Sequence, residues 1–93
     1  MQRARIIGSA TATVKHPTLE GQKLLIAQPL MADGRSPDGD PLVVIDPVGA
    51  GQGERVFISS DGRGVREFLG VEATPVRWMV LGIEDPHSGN ENG

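Results

Sequence analysis

Leu42-Val43-Val44-Ile45-Asp46-Pro47-Val48-Gly49-Ala50-Gly51-Gln52-Gly53-Glu54-Arg55-Val56-Phe57 is the stretch whose reading decides the fold. Two short apolar runs rich in β-branched residues flank glycines at alternate positions, which is the pattern of strand, tight loop, strand. Glycine serves a loop whose backbone takes positive φ or lies hard against another surface. No side chain between Gly49 and Gly53 can do chemistry, so the functional question is what that bare backbone meets: a phosphate or another protein subunit. Asp46, directly before Pro47, is placed to accept hydrogen bonds from the loop N–H groups and fix the turn.

Upstream, residues Arg3 to Lys15 alternate. Ala4, Ile6, Gly8, Ala10, Ala12 and Val14 share one face, and Arg3, Arg5, Ser9, Thr11, Thr13 and Lys15 the other, the period of a long half-buried strand. Ile7 is apolar on the polar face and is expected to contact something outside the monomer core. A turn-rich segment, residues 16–22, leads to a second strand from Lys23 to Leu30 that is apolar on both faces at Leu24-Leu25-Ile26 and ends near Pro29. Met31 to Pro41 carries two Asp-Gly turn pairs and reads as a mobile excursion.

Downstream, Arg55 to Ser59 is the fourth strand. Asp61 can cap a short helix that Gly70 ends. Val76 to Glu84 is the last strand, with Trp78, Val80 and Gly82 opposite Arg77, Met79, Leu81 and Ile83. Both faces are apolar, so its second face needs a cover, for which a partner subunit is a natural candidate. Residues 86–93 offer no apolar anchor and read as a disordered tail. The expected architecture is all-β: one domain over residues 1–85, a small five-stranded OB-like antiparallel β-barrel with one short helix.

Composition narrows the function classes. A chain of 93 residues holds one modest core, and assembly with partners helps such a domain. It has no cysteine, hence no disulfide framework or thiolate metal site. No apolar run is long enough for a membrane span or secretory core, and the reading is a soluble intracellular protein. A formal charge of −3 and only Phe57, Phe68 and Trp78 as aromatic residues give little to attract or stack nucleic acid.

Chemistry finds no foothold. The dinucleotide fingerprint needs a helix after its glycines, whereas Gly53 leads into a strand. Ser59, Ser60 and Asp61 with His16 or His87 have no spacing that supports a nucleophile, base and orienter. The two histidines and the acids Asp33, Asp38, Asp40 and Glu84 lack metal-ligand spacing. No enzyme activity, metal or cofactor is expected.

In order and spacing, these features resemble the bacterial microcompartment vertex proteins, the EutN/CcmL family. The likeness covers nearly all of residues 2 to 85: Gly8 and Thr13-Val14-Lys15, Leu19 and Gly21 before Lys23-Leu24-Leu25, the Asp46-to-Glu54 run, Arg66, Pro75-Val76, and the ending Gly82-Ile83-Glu84-Asp85. The sequence departs from it at Arg63-Gly64-Val65, where many relatives carry small residues, and at Arg77, where an acid is common.

The resemblance implies a homopentamer of barrels in the bacterial cytoplasm that plugs the five-fold corners of a shell tiled by hexameric proteins, with no active site. It places Gly49, Ala50, Gly51, Gln52 and Gly53 at the subunit interface and central channel, and a packing role around Gly62 and Arg66. Ile7, Asp46, Met79, Leu81 and Ile83 complete the expected contact set. A ring uses two complementary patches on each protomer, as such surfaces would supply. The competing reading is an OB-like module that binds single-stranded nucleic acid or oligosaccharide on its barrel face. A small enzyme or nucleotide sensor built on Gly49 to Gly53 is a third.

Overall fold

The alternation at the start of the chain becomes a strand, but one that changes faces partway. The computed structural model describes residues 1–10, 17–19 and 21–84. In β1 (Gln2–Ser9), Ala4 and Ile6 point into the barrel, and their partners on β2 (Leu24–Pro29) are Pro29 and Ala27. The ladder then skips Ile7, and Gly8 pairs with Ile26. A β-bulge of this kind inserts one residue and reverses the sidedness of everything beyond it. Gly8 therefore shares the outer face with Ile26, and Ala10 joins a second apolar cluster outside the barrel. The single face expected for Ala4, Ile6, Gly8 and Ala10 is two faces, and Ala12 and Val14 lie outside the described residues.

Strands β3 (Leu42–Ile45), β4 (Arg55–Ser59) and β5 (Trp78–Ile83) complete a closed barrel in the order β1-β2-β3-β5-β4. The pairings are antiparallel except β3 with β5, which run parallel, with Val44 opposite Trp78 and Ile45 opposite Met79. The expected five-stranded OB-like barrel is the one observed, with one parallel seam in an otherwise antiparallel ladder. Closure leaves no free sheet edge to template aggregation.

Two cores account for the strands that are apolar on both sides. Leu25, Ala27, Val44, Val56, Ile58 and Val80 fill the barrel with Ala4 and Ile6. Leu24, Ile45, Val65 and Val76 form the outer cluster with Ala10 and Leu19, and Ile26, Val43, Leu69 and Met79 pack on it. The cover is α1 (Gly62–Leu69), whose Val65 is fully buried. Asp61 accepts the Arg63 amide at its N-terminus, and Gly70 takes left-handed φ 70° at its end. There the amides of Gly70 and Val71 reach the Glu67 and Arg66 carbonyls, the paired bonds of a Schellman ending. The outer face of the last strand at Met79 packs on the outer cluster beneath the chain's own helix and stays half-buried.

A second bulge reverses the last strand. Val80 pairs with Ile58, Leu81 is skipped, and Gly82 and Ile83 pair with Phe57 and Val56. Ile83 consequently packs on the barrel interior, on the side of Val80 rather than opposite it. The strand itself begins at Trp78, two residues later than its pattern implied.

The excursion 31–41 is locally ordered. Asp33 accepts the amides of Arg35 and Ser36, both at 2.8 Å, and the Ser36 hydroxyl. The amides of Met31 and Asp38 bond to the Ser36 and Pro29 carbonyls. Gly34 is buried at φ 71°, where an added Cβ would lie 3.3 Å from an Arg3 guanidinium nitrogen and 3.5 Å from one of Arg55. Below it, Arg3 and Arg55 flank Glu84 at 3.2 and 2.9 Å; Glu84 Oε1 meets Arg3 at ion-pair distance without an aligned hydrogen bond.

Candidate functional site

The glycine-rich loop joins β3 to β4, and its shape is set by a carboxylate. Asp46 leaves β3 with its side chain 0% exposed, an unusual place for an acid unless donors surround it. They do: Asp46 Oδ1 accepts the amides of Val48 at 3.1 Å and Gly49 at 2.9 Å, and Oδ2 accepts that of Ala50 at 2.7 Å. Lys23 Nζ stands 3.3 Å from Oδ2 and donates to the Ala50 carbonyl at 2.8 Å. The role read for Asp46 from its position before Pro47 is the one it plays.

The far half of the loop is tied by other groups. The Glu54 carboxylate accepts the Gly51 amide, and the Glu54 amide donates to the Gly51 carbonyl at 3.1 Å. The Gly53 amide reaches Ile6 O at 2.7 Å, Ile6 N reaches Glu54 O at 2.9 Å, and an Arg5 Nη donates to Gly53 O at 3.2 Å. Gly49 and Gly53 have φ of 99° and 90°, values that L side chains resist, so both need glycine. Gly51 does not: its backbone is ordinary, and an added Cβ would only meet the movable Glu54 carboxylate at 3.2 Å.

This hydrogen bonding decides what the loop can do. A phosphate cradle needs backbone N–H groups turned outward. Here the amides of residues 48 to 51 end on the chain's own carboxylates, so an incoming anion would compete with Asp46 and Glu54. What faces outward is a surface poor in side chains: Gly49, Gly51, Gln52 and Gly53 are exposed, and Val48 is 45% exposed, while Ala50 is buried in the barrel core. A cleft of about 360 Å³ beside the loop is lined by Arg5, Gly53, Glu54, Arg55 and Glu84, whose acids and bases balance.

Gly49 to Gly53 and Asp46 thus form one unit, and Ile7 adjoins it through Ile6, which bonds to both Gly53 and Glu54. Ile7 is 43% exposed and Leu81 48%, each at its bulge. Met79 and Ile83 are half-buried against the outer and inner clusters, so Leu81 is the residue of that trio that points outward. Gly62 and Arg66 lie on α1 over the outer cluster, where the Arg66 guanidinium folds to 3.3 Å from the point a Gly62 Cβ would occupy. The sequence names Lys23 only as part of the run that opens the second strand and gives no sign of its contact with the loop, because a lysine before an apolar strand looks like any solvated charge.

Ser59 Oγ accepts the Asp61 amide at 3.2 Å and Asp61 caps α1, so both serve the turn; His16 and His87 fall outside the described residues. Among the described residues no group of three or more His, Cys, Asp or Glu side chains is placed to hold a metal ion, and no helix is long and apolar enough to cross a membrane.

A family model described as ethanolamine utilisation protein EutN/carboxysome matches residues 1–85. The microcompartment shell vertex protein EutN of Salmonella typhimurium is 40% identical over 85 residues, covering 91% of this chain and 84% of its own. The solved pentameric microcompartment shell protein GrpN from Rhodospirillum rubrum matches at 36% identity and TM-score 0.74, over 91% of this chain and 94% of its own. The solved CcmL of Gloeobacter violaceus matches at 36% identity and TM-score 0.75, with 91% and 86% covered. With the closed barrel and the buried-aspartate loop both in place, the chain belongs to the EutN/CcmL family.

Proposed function

We propose that this protein is a structural shell component, a homopentamer that caps the five-fold vertices of a bacterial microcompartment in the cytoplasm. Its partners are then copies of itself around the axis and hexameric shell proteins at the rim, with no nucleic acid, membrane or catalytic role. The observation that carries the reading is the match to GrpN, described as pentameric, over 91% of this chain and 94% of its own, in both sequence and barrel geometry. Physical features of the chain support it. The loop from Gly49 to Gly53 is a prefolded, side-chain-poor surface that five copies could bring close to one axis, and Ile7 and Leu81 leave apolar surface exposed on other strands.

The competing ligand-binding reading finds less support. Trp78 packs against the barrel interior, Phe57 is half-buried, and Phe68 stands exposed on the helix, so the aromatic residues do not form a stacking platform on one face. Native mass spectrometry with light scattering on the purified chain tests the proposal: a single five-subunit species is expected. A monomer that binds oligonucleotide in a salt-dependent manner would overturn it.

A further inference from the structure

The glycine-rich loop is held from within its own protomer. The amides of Val48, Gly49 and Ala50 end on Asp46, that of Gly51 on Glu54 and that of Gly53 on the Ile6 carbonyl. Left over at the centre is the Ala50 carbonyl, and Lys23 takes it. Lys23 lies outside the loop, one residue before β2, with its side chain 49% exposed. Its single ammonium group touches both the carboxylate that gathers the N–H groups and the carbonyl in their midst. Ala50 is itself buried among the barrel residues, so fixing it sets where Gly49 and Gly51 stand on the surface.

We infer that Lys23 is a positioning residue for assembly, holding the glycine-rich loop in its docking shape before a neighbour arrives. The inference rests on the vertex reading above. A glycine-rich segment has more conformational freedom to lose than any other, and ordering a loop at an interface subtracts from association. The Lys23 contacts remove that cost from the assembly step by meeting it during folding. A lysine suits the place: a compact point charge with three donors serves two acceptors that lie in different directions, which a planar guanidinium fork does less well.

The test compares Lys23→Met and Lys23→Arg with the native chain in three measurements: native mass spectrometry over a dilution series, thermal melting, and amide hydrogen exchange of residues 48–50. Lys23→Met should keep the barrel and its strand protection, lose protection in the loop, and need roughly tenfold more protein for half-assembly, the scale of one charge-assisted hydrogen bond. Lys23→Arg should recover part of that loss. Should Lys23→Met fail to fold, Lys23→Ala, which likewise removes both contacts, carries the same comparison. Assembly of the variant at the native concentration, or unchanged loop protection, overturns the inference. A native chain that stays monomeric at every concentration sinks the pentamer reading and the assembly role together, whereas a native pentamer indifferent to Lys23 sinks the inference alone.

Discussion

Ile7 and Leu81 occupy equivalent places in the fold: each is the residue skipped by its ladder at a β-bulge, and each is the exposed large apolar side chain of its strand. A bulge re-aims a side chain without ending the strand. In the isolated protomer neither residue is buried in a core, so substituting either one tests surface contacts rather than folding.

Ile7→Glu and Leu81→Glu should therefore leave the barrel folded, with stability changes near the surface norm of about 0.5 kcal/mol or less. The same changes should shift the oligomer toward smaller species. Circular dichroism melts paired with size-exclusion light scattering check this. Intact pentamers in both variants would remove these residues from the contact set.

The loop glycines separate two effects. Gly51→Trp keeps an allowed backbone, its Cβ meets only the movable Glu54 carboxylate and the position is exposed, so the monomer should stay folded while a crowded axis rejects the ring. Gly49→Asp adds backbone strain at φ 99°, of order 1–2 kcal/mol, and should lower the melting temperature as well. Equal melting of the two variants, or a normal pentamer from Gly51→Trp, would contradict this account.

Asp46→Ala removes the acceptor for three amides and the partner of Lys23 in one step. Lys23, half exposed, can turn its ammonium to water, so the cost is chiefly that of the buried Ala50 amide left without an acceptor, about 1–3 kcal/mol. Chemical denaturation should show the loss. Asp46→Asn, which keeps an acceptor oxygen, should cost less.

Acid should release the 31–37 turn. The Ser36 hydroxyl, then the Arg35 and Ser36 amides, hold the Asp33 carboxyl at about 2, below its ordinary 3.8. A depressed folded value means that the stabilisation is fully present above pH 3.8 and is lost as pH falls through about 2. The group is exposed, so the effect on global stability is small. An NMR titration should show the Arg35 and Ser36 amide shifts following one proton in that window, and Asp33→Asn should abolish the response.

Much of this was legible in the residues because it depends on near neighbours. The strand flanks of the loop, the helix cap at Asp61, the stop at Gly70 and the Asp46 turn each depend on groups within a few positions. The 31–41 segment misled because some of its bonds come from far along the chain: Gln2 donates to the Asp38 carboxylate and Gln28 to the Gly39 carbonyl. The last strand misled at Ile83 because period-two counting has no means of seeing an inserted residue.

The sequence by itself determined the element types, the five-stranded barrel and the glycine-rich turn, since backbone preference and side-chain alternation are local properties. Only the tertiary structure decided which face each apolar residue serves, that α1 covers the outer core, and that Lys23 reaches Ala50. Those facts follow from strand register, and register is fixed by the whole barrel closing on itself: one skipped residue in β1 and another in β5 redirect every side chain beyond them.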